Sequence, residues 1–360
     1  MVKIFRDITY PKSEYKDKKE KVYTLNKVLS AFNILNRIVS VITVIICMSV
    51  FLLHNIDTHA EESGIVSFQG TYTYERMLYD TQLLAASYPD MVSYELKGQT
   101  ALGRQILIMK LGNPDAPRQI LIHASIHGRE YYVTPLVMKM AEYYAANERE
   151  LLATTCFTIV PMANPDGVAI AQSGANATTD INYQVLINTI GHCNMWKSNA
   201  NGVDINRNFP TGWGLAETKT PTNSYAYYEG LMPSSEVETV ILEQLLLDNH
   251  FDCYLAYHMR GNIIYYYAPT CAPEMYAISR LIADTVHIST GYQVVVDAED
   301  TDPSGSFADF AQIMCGVPGC TIECGKTLPP DGAGQVSEFY SKNLTSWKNV
   351  ANLYAVKLSY

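Results

Sequence analysis

Hydrophobic and polar positions follow two periods along most of the chain. Residues 74–87 carry apolar side chains at helical spacing and stop at Tyr88-Pro89, whereas 106–111 and 120–124 are short apolar runs of β type. Helical spacing returns over 133–146, and 157–161 reads as a buried strand. Ser234 opens a helix whose first turn holds Glu236 and Glu238 and which continues to Asp248. Strands are predicted over 254–257, 263–267, 293–296 and 320–322, with a helix over 273–289 between the second and third of these. The alternation predicts one α/β domain over residues 71–360, with a central mixed sheet covered by helices on both faces. No repeat, low-complexity stretch or long linker divides it. In such folds ligands bind where loops leave the strand ends.

One run departs from both periods. Residues 38–53 (IVSVITVIICMSVFLL) are uncharged and apolar on every face. At 1.5 Å per residue they make about 24 Å of helix, between a signal-peptide core and a span of the ~30 Å hydrocarbon layer. The first 37 residues hold nine basic and four acidic side chains, a net of +5. The whole chain carries −10, so the part beyond Asp57 carries −14. Basic before and acidic after predicts a cytoplasmic segment 1–37, a transmembrane helix or signal core at 38–53, a linker at 54–70, and the domain outside the membrane. Thr58-His59-Ala60 supplies the small residues of a cleavage site, so the alternative is a secreted protein cut near Ala60. The 37 residues ahead of the run are long for a signal peptide and favour an uncleaved, single-pass anchor in the cell membrane.

With 360 residues, 48% hydrophobic and 17% charged, the chain can bury a large core and is not of disordered composition. A pI near 5.3 argues against a nucleic-acid partner. Seven cysteines follow the apolar run, an odd number in no zinc-ribbon spacing, so a disulfide framework is open but not indicated.

The candidate chemistry lies at predicted strand ends and in one polar loop. After the strand 120–124 comes His127-Gly128-Arg129-Glu130, an imidazole and a carboxylate three residues apart, a nitrogen and oxygen mixture that Zn²⁺ accepts. An H-x-x-E pair also arises by chance. Residues 202–210 read GVDINRNFP, in which Arg207 offers a planar fork for a carboxylate and Asn206 adds amide hydrogen bonds. Asp204 in the same stretch could orient a metal-ligating imidazole. A solvated loop would hold the same residues without function. His258 ends an apolar strand and is followed by Met259-Arg260-Gly261, and Glu323 ends the strand Thr321-Ile322. A carboxylate there is costly without a partner, and a general base beside an activated water is one reason to keep it.

Together, His127-x-x-Glu130, Asn164-Pro165-Asp166-Gly167, the 202–209 stretch, His258, the 304–310 stretch SGSFADF and Thr321-Ile322-Glu323 resemble the zinc carboxypeptidase A (M14) family, in the family's order and at similar intervals. The resemblance runs from about Tyr72 to the C-terminus. It implies that His127, Glu130 and His258 hold one Zn²⁺ per chain, and that Glu323 takes the proton of the attacking water and returns it to the leaving amine. It also implies that Asn206 and Arg207 grip the α-carboxylate of the released residue, while Arg129 contacts substrate beyond the scissile bond.

The departures from that pattern carry their own expectations. Where pancreatic-type members place an oxyanion-stabilising arginine, this chain has Lys197, a point charge in place of a fork. Thr301 stands where they have a mobile tyrosine. Ala308 stands where members specific for Lys or Arg have an acidic residue, which disfavours basic released residues, although Asp302 and Glu299 are close in sequence. Trp196-Lys197 with Asn199, Arg260-Gly261 after His258, and Gly325 after Glu323 look closer to the bacterial γ-D-glutamyl-diamino-acid peptidase branch. The expected substrate is therefore a peptidoglycan stem peptide or another extracellular peptide. Two other readings stand beside it: a zinc deacylase of N-acyl amino acids resembling aspartoacylase, and a surface binding module on a degenerate peptidase scaffold.

Overall fold

The computed structural model describes residues 64–295 and 302–354. The segments 1–37 and 38–53, most of the linker 54–70, Glu299 and Thr301 lie outside the described residues. Among the described residues no helix is long and apolar enough to cross a membrane.

The domain begins with α1 (Tyr74–Ser87), whose N-cap Thr73 hydroxyl accepts the Arg76 backbone N–H at 3.2 Å and so satisfies a first-turn donor. Strands β1 (Val92–Lys97), β2 (Ile106–Gly112) and β3 (Arg118–Ala124) follow. After them come α2 (Val133–Asn147), the short α3 (Arg149–Thr154) and β4 (Thr155–Val160). Helices α4 (Pro165–Ser173), α5 (Ile181–Ile190) and α6 (Val237–Asp248) lead to β5 (Cys253–His258) and β6 (Ile263–Tyr265). Then come α7 (Pro273–Thr290), β7 (Gln293–Val295), β8 (Gly319–Glu323), α8 (Gln335–Asn343) and α9 (Ser346–Leu353).

The eight strands form one sheet in the order β1-β2-β4-β3-β5-β8-β6-β7. The four central strands β4, β3, β5 and β8 run parallel, while the β1–β2, β2–β4 and β6–β8 pairings are antiparallel. The sheet is therefore mixed, as the sequence predicted. Alternate residues of each strand divide between two cores. Ile120, Ile122, Leu255, Tyr257, Cys320 and Ile322 pack on one face with residues of α2, α7, α8 and α9. Leu121, Tyr254 and Ala256 point to the other, where α6 and the helical turn Phe307–Asp309 cover them.

Several boundaries differ from the sequence reading for local reasons. The helix expected from Ser234 starts at Val237, because Ser234 sits at φ +56° and donates its N–H to Asn208 O at 2.8 Å, with Glu236 N–H on Asn208 Oδ1 at 3.2 Å. The Asn164-Pro165-Asp166-Gly167 stretch is a helix start: Asn164 Oδ1 accepts Gly167 N–H at 2.8 Å and Pro165 occupies the first turn, where its missing N–H costs nothing. Strand β6 stops at Tyr265, two residues short of the predicted end. All seven described cysteines are free thiols, so no disulfide framework forms among them.

Candidate metal centre and substrate cavity

Strands β3, β5 and β8 end side by side, and the site is built on their C-terminal ends. Ser125, at φ +51°, turns the chain out of β3, and its hydroxyl lies 2.8 Å from Thr134 Oγ1, which fixes the start of the His127 loop. Gly128 passes so close to α4 that a Cβ there would lie 2.3 Å from the Gly167 carbonyl carbon, so only glycine fits. Asn164 then joins two loops: its amide N–H₂ donates to Ile126 O at 3.1 Å, to Lys197 O at 3.3 Å and to Ser198 O at 3.0 Å. The backbone N–H groups of Gly128 and Arg129 donate to the carbonyls of Lys197 and Trp196. The His127 loop and the Lys197 loop are thereby held together.

Glu130, 2% exposed, lies between two imidazoles. His127 Nδ1 is 2.9 Å from Oε1, and His258 Nδ1 is 3.0 Å from Oε2, which also accepts the Met259 N–H at 3.2 Å. The ligand atoms of His127, Glu130 and His258 all fall within 4.8 Å of one another. Burial works to raise the Glu130 carboxyl, but the His127 and His258 imidazoles outweigh it and hold the group well below the usual carboxylate range. Two inward nitrogens and a carboxylate oxygen are a donor set that fits zinc, with room for a further ligand on the cavity side. Asp204 Oδ1 is 3.4 Å from His127 Nε2, the ring nitrogen facing away from Glu130, where an anion favours Nε2–H and leaves Nδ1 free as a ligand. Burial opposes the Asp204 charge, but Lys197, His127 and Arg207 keep its carboxyl far below the usual range.

A cavity of about 230 Å³ opens beside this cluster. His127, His258, Lys197, Asn206, Arg207 and Glu323 all line it, so six of the sequence-predicted residues meet at one place. Glu323 pairs in register with His258 across β5 and β8, and its Oε2 has no hydrogen-bond partner among the described residues. Burial, reinforced by the Glu130 charge, pushes its carboxyl well up, while Lys197 and Arg129 pull against that shift. The Lys197 ammonium sits 3.9 Å from Asp204 Oδ2 and 4.8 Å from the centre of the Tyr227 ring. Asn206 Oδ1 accepts the Phe307 N–H at 2.9 Å, which leaves its amide N–H₂ as a donor. Arg207 Nη1 donates to Asn206 O at 2.9 Å, and its Nε has no partner among the described residues.

Glu130, Asp204 and Arg129 are not on the cavity wall, and Arg129 Nε stands 3.9 Å from Glu130 Oε1. Asp302 and Ala308 are on that wall. Among the cavity residues that the sequence reading passed over are His123, inside an apolar strand, and Gln312, beyond the SGSFADF stretch. Residues inside β3 look like core until the pairing register shows which face they occupy.

Two imidazoles and a carboxylate converging beside a second acid and an unsatisfied arginine, at the ends of parallel strands, define a metallopeptidase of the carboxypeptidase class. Residues 77–337 match the zinc carboxypeptidase family, peptidase M14, and the chain belongs to that family: it is a peptidase that uses zinc. Among its relatives, the uncharacterized protein YqgT of Bacillus subtilis (strain 168) is 29% identical over 259 residues, 68% of each chain. Gamma-D-glutamyl-L-diamino acid endopeptidase 1 of Lysinibacillus sphaericus is 26% identical over 294 residues, 78% of this chain and 72% of its own. The carboxypeptidase A of Helicoverpa armigera superposes with a TM-score of 0.65 at 21% identity, covering 83% of this chain and 78% of that one, which shows a shared fold.

Proposed function

We propose that the protein hydrolyses the amide bond next to a free C-terminal carboxylate, with His127, Glu130 and His258 holding the zinc and Glu323 as general base. The observation that carries this reading is the meeting of Arg207 Nε and the Asn206 amide, both with free donors, on the same cavity as Glu323 and the His-Glu-His cluster. A planar guanidinium beside an amide binds a carboxylate bidentately, and an enzyme that measures a chain end needs such a clamp. Bound zinc supplies Lewis acidity and lowers the pKa of water. Glu323 Oε2, free of partners among the described residues, accepts the proton from the attacking water and passes it to the leaving nitrogen. Lys197, anchored over Tyr227 and beside Asp204, brings positive charge to the oxygen of the carbonyl under attack. Asp204 holds the His127 ring in place.

The diamino-acid endopeptidase relative supports cell-wall stem peptides as the substrate class, with other extracellular peptides beside them. The basic segment 1–37 followed by the apolar run 38–53 supports a membrane-tethered protein with its domain outside. The test is product mass spectrometry on a mixed library of free-carboxylate peptides and peptidoglycan fragments. Release of a C-terminal residue is expected, stopping on chelation and returning with zinc. No release by zinc-loaded protein overturns the reading, and deacylation of N-acyl amino acids in its place points to the aspartoacylase-like alternative.

A further inference from the structure

The register of the sheet shows what lies under the catalytic row. His258 and Glu323 form one row across β5 and β8. Two residues back along the same face, the next row runs His123, Ala256, Thr321 and Tyr265 across β3, β5, β8 and β6, and all four line the cavity. Ala256, with only a methyl group, leaves a gap between His123 and Thr321, which stand two strand spacings apart, about 10 Å. A side chain entering past the zinc cluster reaches this row about 7 Å deeper.

The floor there is polar and unsatisfied. His123 is fully buried, and neither of its ring nitrogens has a hydrogen-bond partner among the described residues. Its ring meets Phe307 edge to face at 4.3 Å between centroids, which fixes its plane. An imidazole offers a donor at one ring nitrogen and, when neutral, an acceptor at the other. Gln312, 3% exposed, spends its N–H₂ on Tyr254 Oη at 2.8 Å and Tyr266 O at 3.2 Å, and its Oε1 has no partner among the described residues. Two buried polar side chains with free hydrogen-bonding atoms in one cavity are costly to keep unless a ligand group meets them.

We propose that His123 and Gln312 select the residue to be released, taking a side chain whose end carries both a hydrogen-bond donor and an acceptor and rejecting an apolar side chain of the same size. His123 donates to the acceptor of that end group, and Gln312 Oε1 receives its N–H. The inference rests on the proposed function, since it places the released residue's side chain in this cavity. An isosteric apolar side chain leaves all these buried atoms unpaired and is penalised accordingly.

The test uses zinc-loaded protein and two near-isosteric amino acids, glutamine and methionine, each as the L and the D form. Binding is read by titration calorimetry and by the nitrogen resonances of the His123 imidazole. Glutamine of one hand is expected to bind about tenfold or more tightly than methionine of the same hand, a ratio matching the net worth of one or two neutral hydrogen bonds. It should also move the His123 signals. In His123→Leu the ratio should fall to one or invert, while His123→Asn, which keeps a donor and an acceptor, should preserve part of it. Equal binding of the two amino acids, unmoved His123 resonances, or an unchanged ratio in His123→Leu overturns the proposal. The resonances need no variant, so a misfolded substitution does not hide the answer. Because binding is read without turnover, a protein that discriminates glutamine through His123 yet hydrolyses nothing in the library defeats the proposed function and not this assignment.

Discussion

Two regions of the molecule bury carboxylates, and they do so in opposite ways. Behind the Asn199 loop, Asp166 pairs with Arg104 at 2.9 Å and accepts the Leu102 N–H at 2.8 Å. Glu236 Oε2 there accepts the amides of Asn199 and Asn201 at 2.6 and 2.8 Å. Glu238, beside them, is pushed up to about 8, first by burial and then by the charges of Asp166 and Glu236, and so holds its proton at neutral pH. Every charge in that cluster is matched by protein groups or removed by protonation. Around the cavity, Glu323 Oε2 and Arg207 Nε have no partners among the described residues, and Glu130 is matched by the Met259 N–H and by two imidazoles able to ligate a metal. The first cluster neutralises its charges within the protein and holds loops together, although Glu238 Oε1 also lacks a hydrogen-bond partner among the described residues. The second keeps its unmatched groups on a cavity beside a set of side chains able to hold a metal, and that placement marks it as the candidate site.

The sharpest way to break the contrast is Glu323→Gln. Hydrolysis should fall by about 10³-fold or more, as for loss of a general base, while zinc content by atomic absorption stays at one per chain. Residual turnover near the wild-type rate would place the base elsewhere. A smaller effect is expected one bond further out: Asp204→Asn should weaken zinc about 10–100-fold in competition with a chelator, because the His127 tautomer loses its anionic anchor. Unchanged affinity would mean that Asp204 serves only to cap the turn at Asn206.

The first cluster should answer differently, through stability with activity intact. Glu238 keeps its proton in the folded state up to about 8, against an ordinary value of 4.5 in the unfolded chain. The folded state therefore binds more protons between those limits, and the stability this group contributes is full below 4.5 and is lost as pH rises towards 8. Removing that penalty with Glu238→Gln should flatten the fall, raising unfolding free energy relative to wild type by roughly 3–5 kcal/mol between pH 5 and pH 8. Urea unfolding at the two pH values measures it. A matching loss of peptidase rate at pH 7 would erase the distinction between the clusters.

Much of the site was legible because its residues sit in short local patterns. His127 and Glu130 are three apart on one loop, and His258 and Glu323 each end an apolar run, so strand ends and motif order were enough to bring them together. Helix α1 was bounded correctly by its own spacing and by the proline that follows it. Elements stabilised from outside were not. Strand β1 is an edge strand with one buried residue among six, so its alternation carries little signal. Helix α5 keeps Ile181 and Val185 exposed and has a blurred apolar stripe. Ser234 has the side chain of a helix cap, but Asn208, 26 positions earlier, claims its backbone. His123 was hidden for a related reason. Its neighbours in sequence are apolar, and only pairing with Ala256 places it under the candidate metal ligands.

Asn164, with one amide group on three carbonyls of two loops, has a consequence for how this enzyme can vary. The backbone that presents position 197 is set by a residue 33 positions away and by the no-clearance meeting of Gly128 with Gly167, so it acts as a fixed socket. The cation seated on that socket stands 3.9 Å from Asp204 Oδ2, and Asp204 Oδ1 stands 3.4 Å from His127 Nε2, so the charge at position 197 and the His127 ring are joined through one carboxylate.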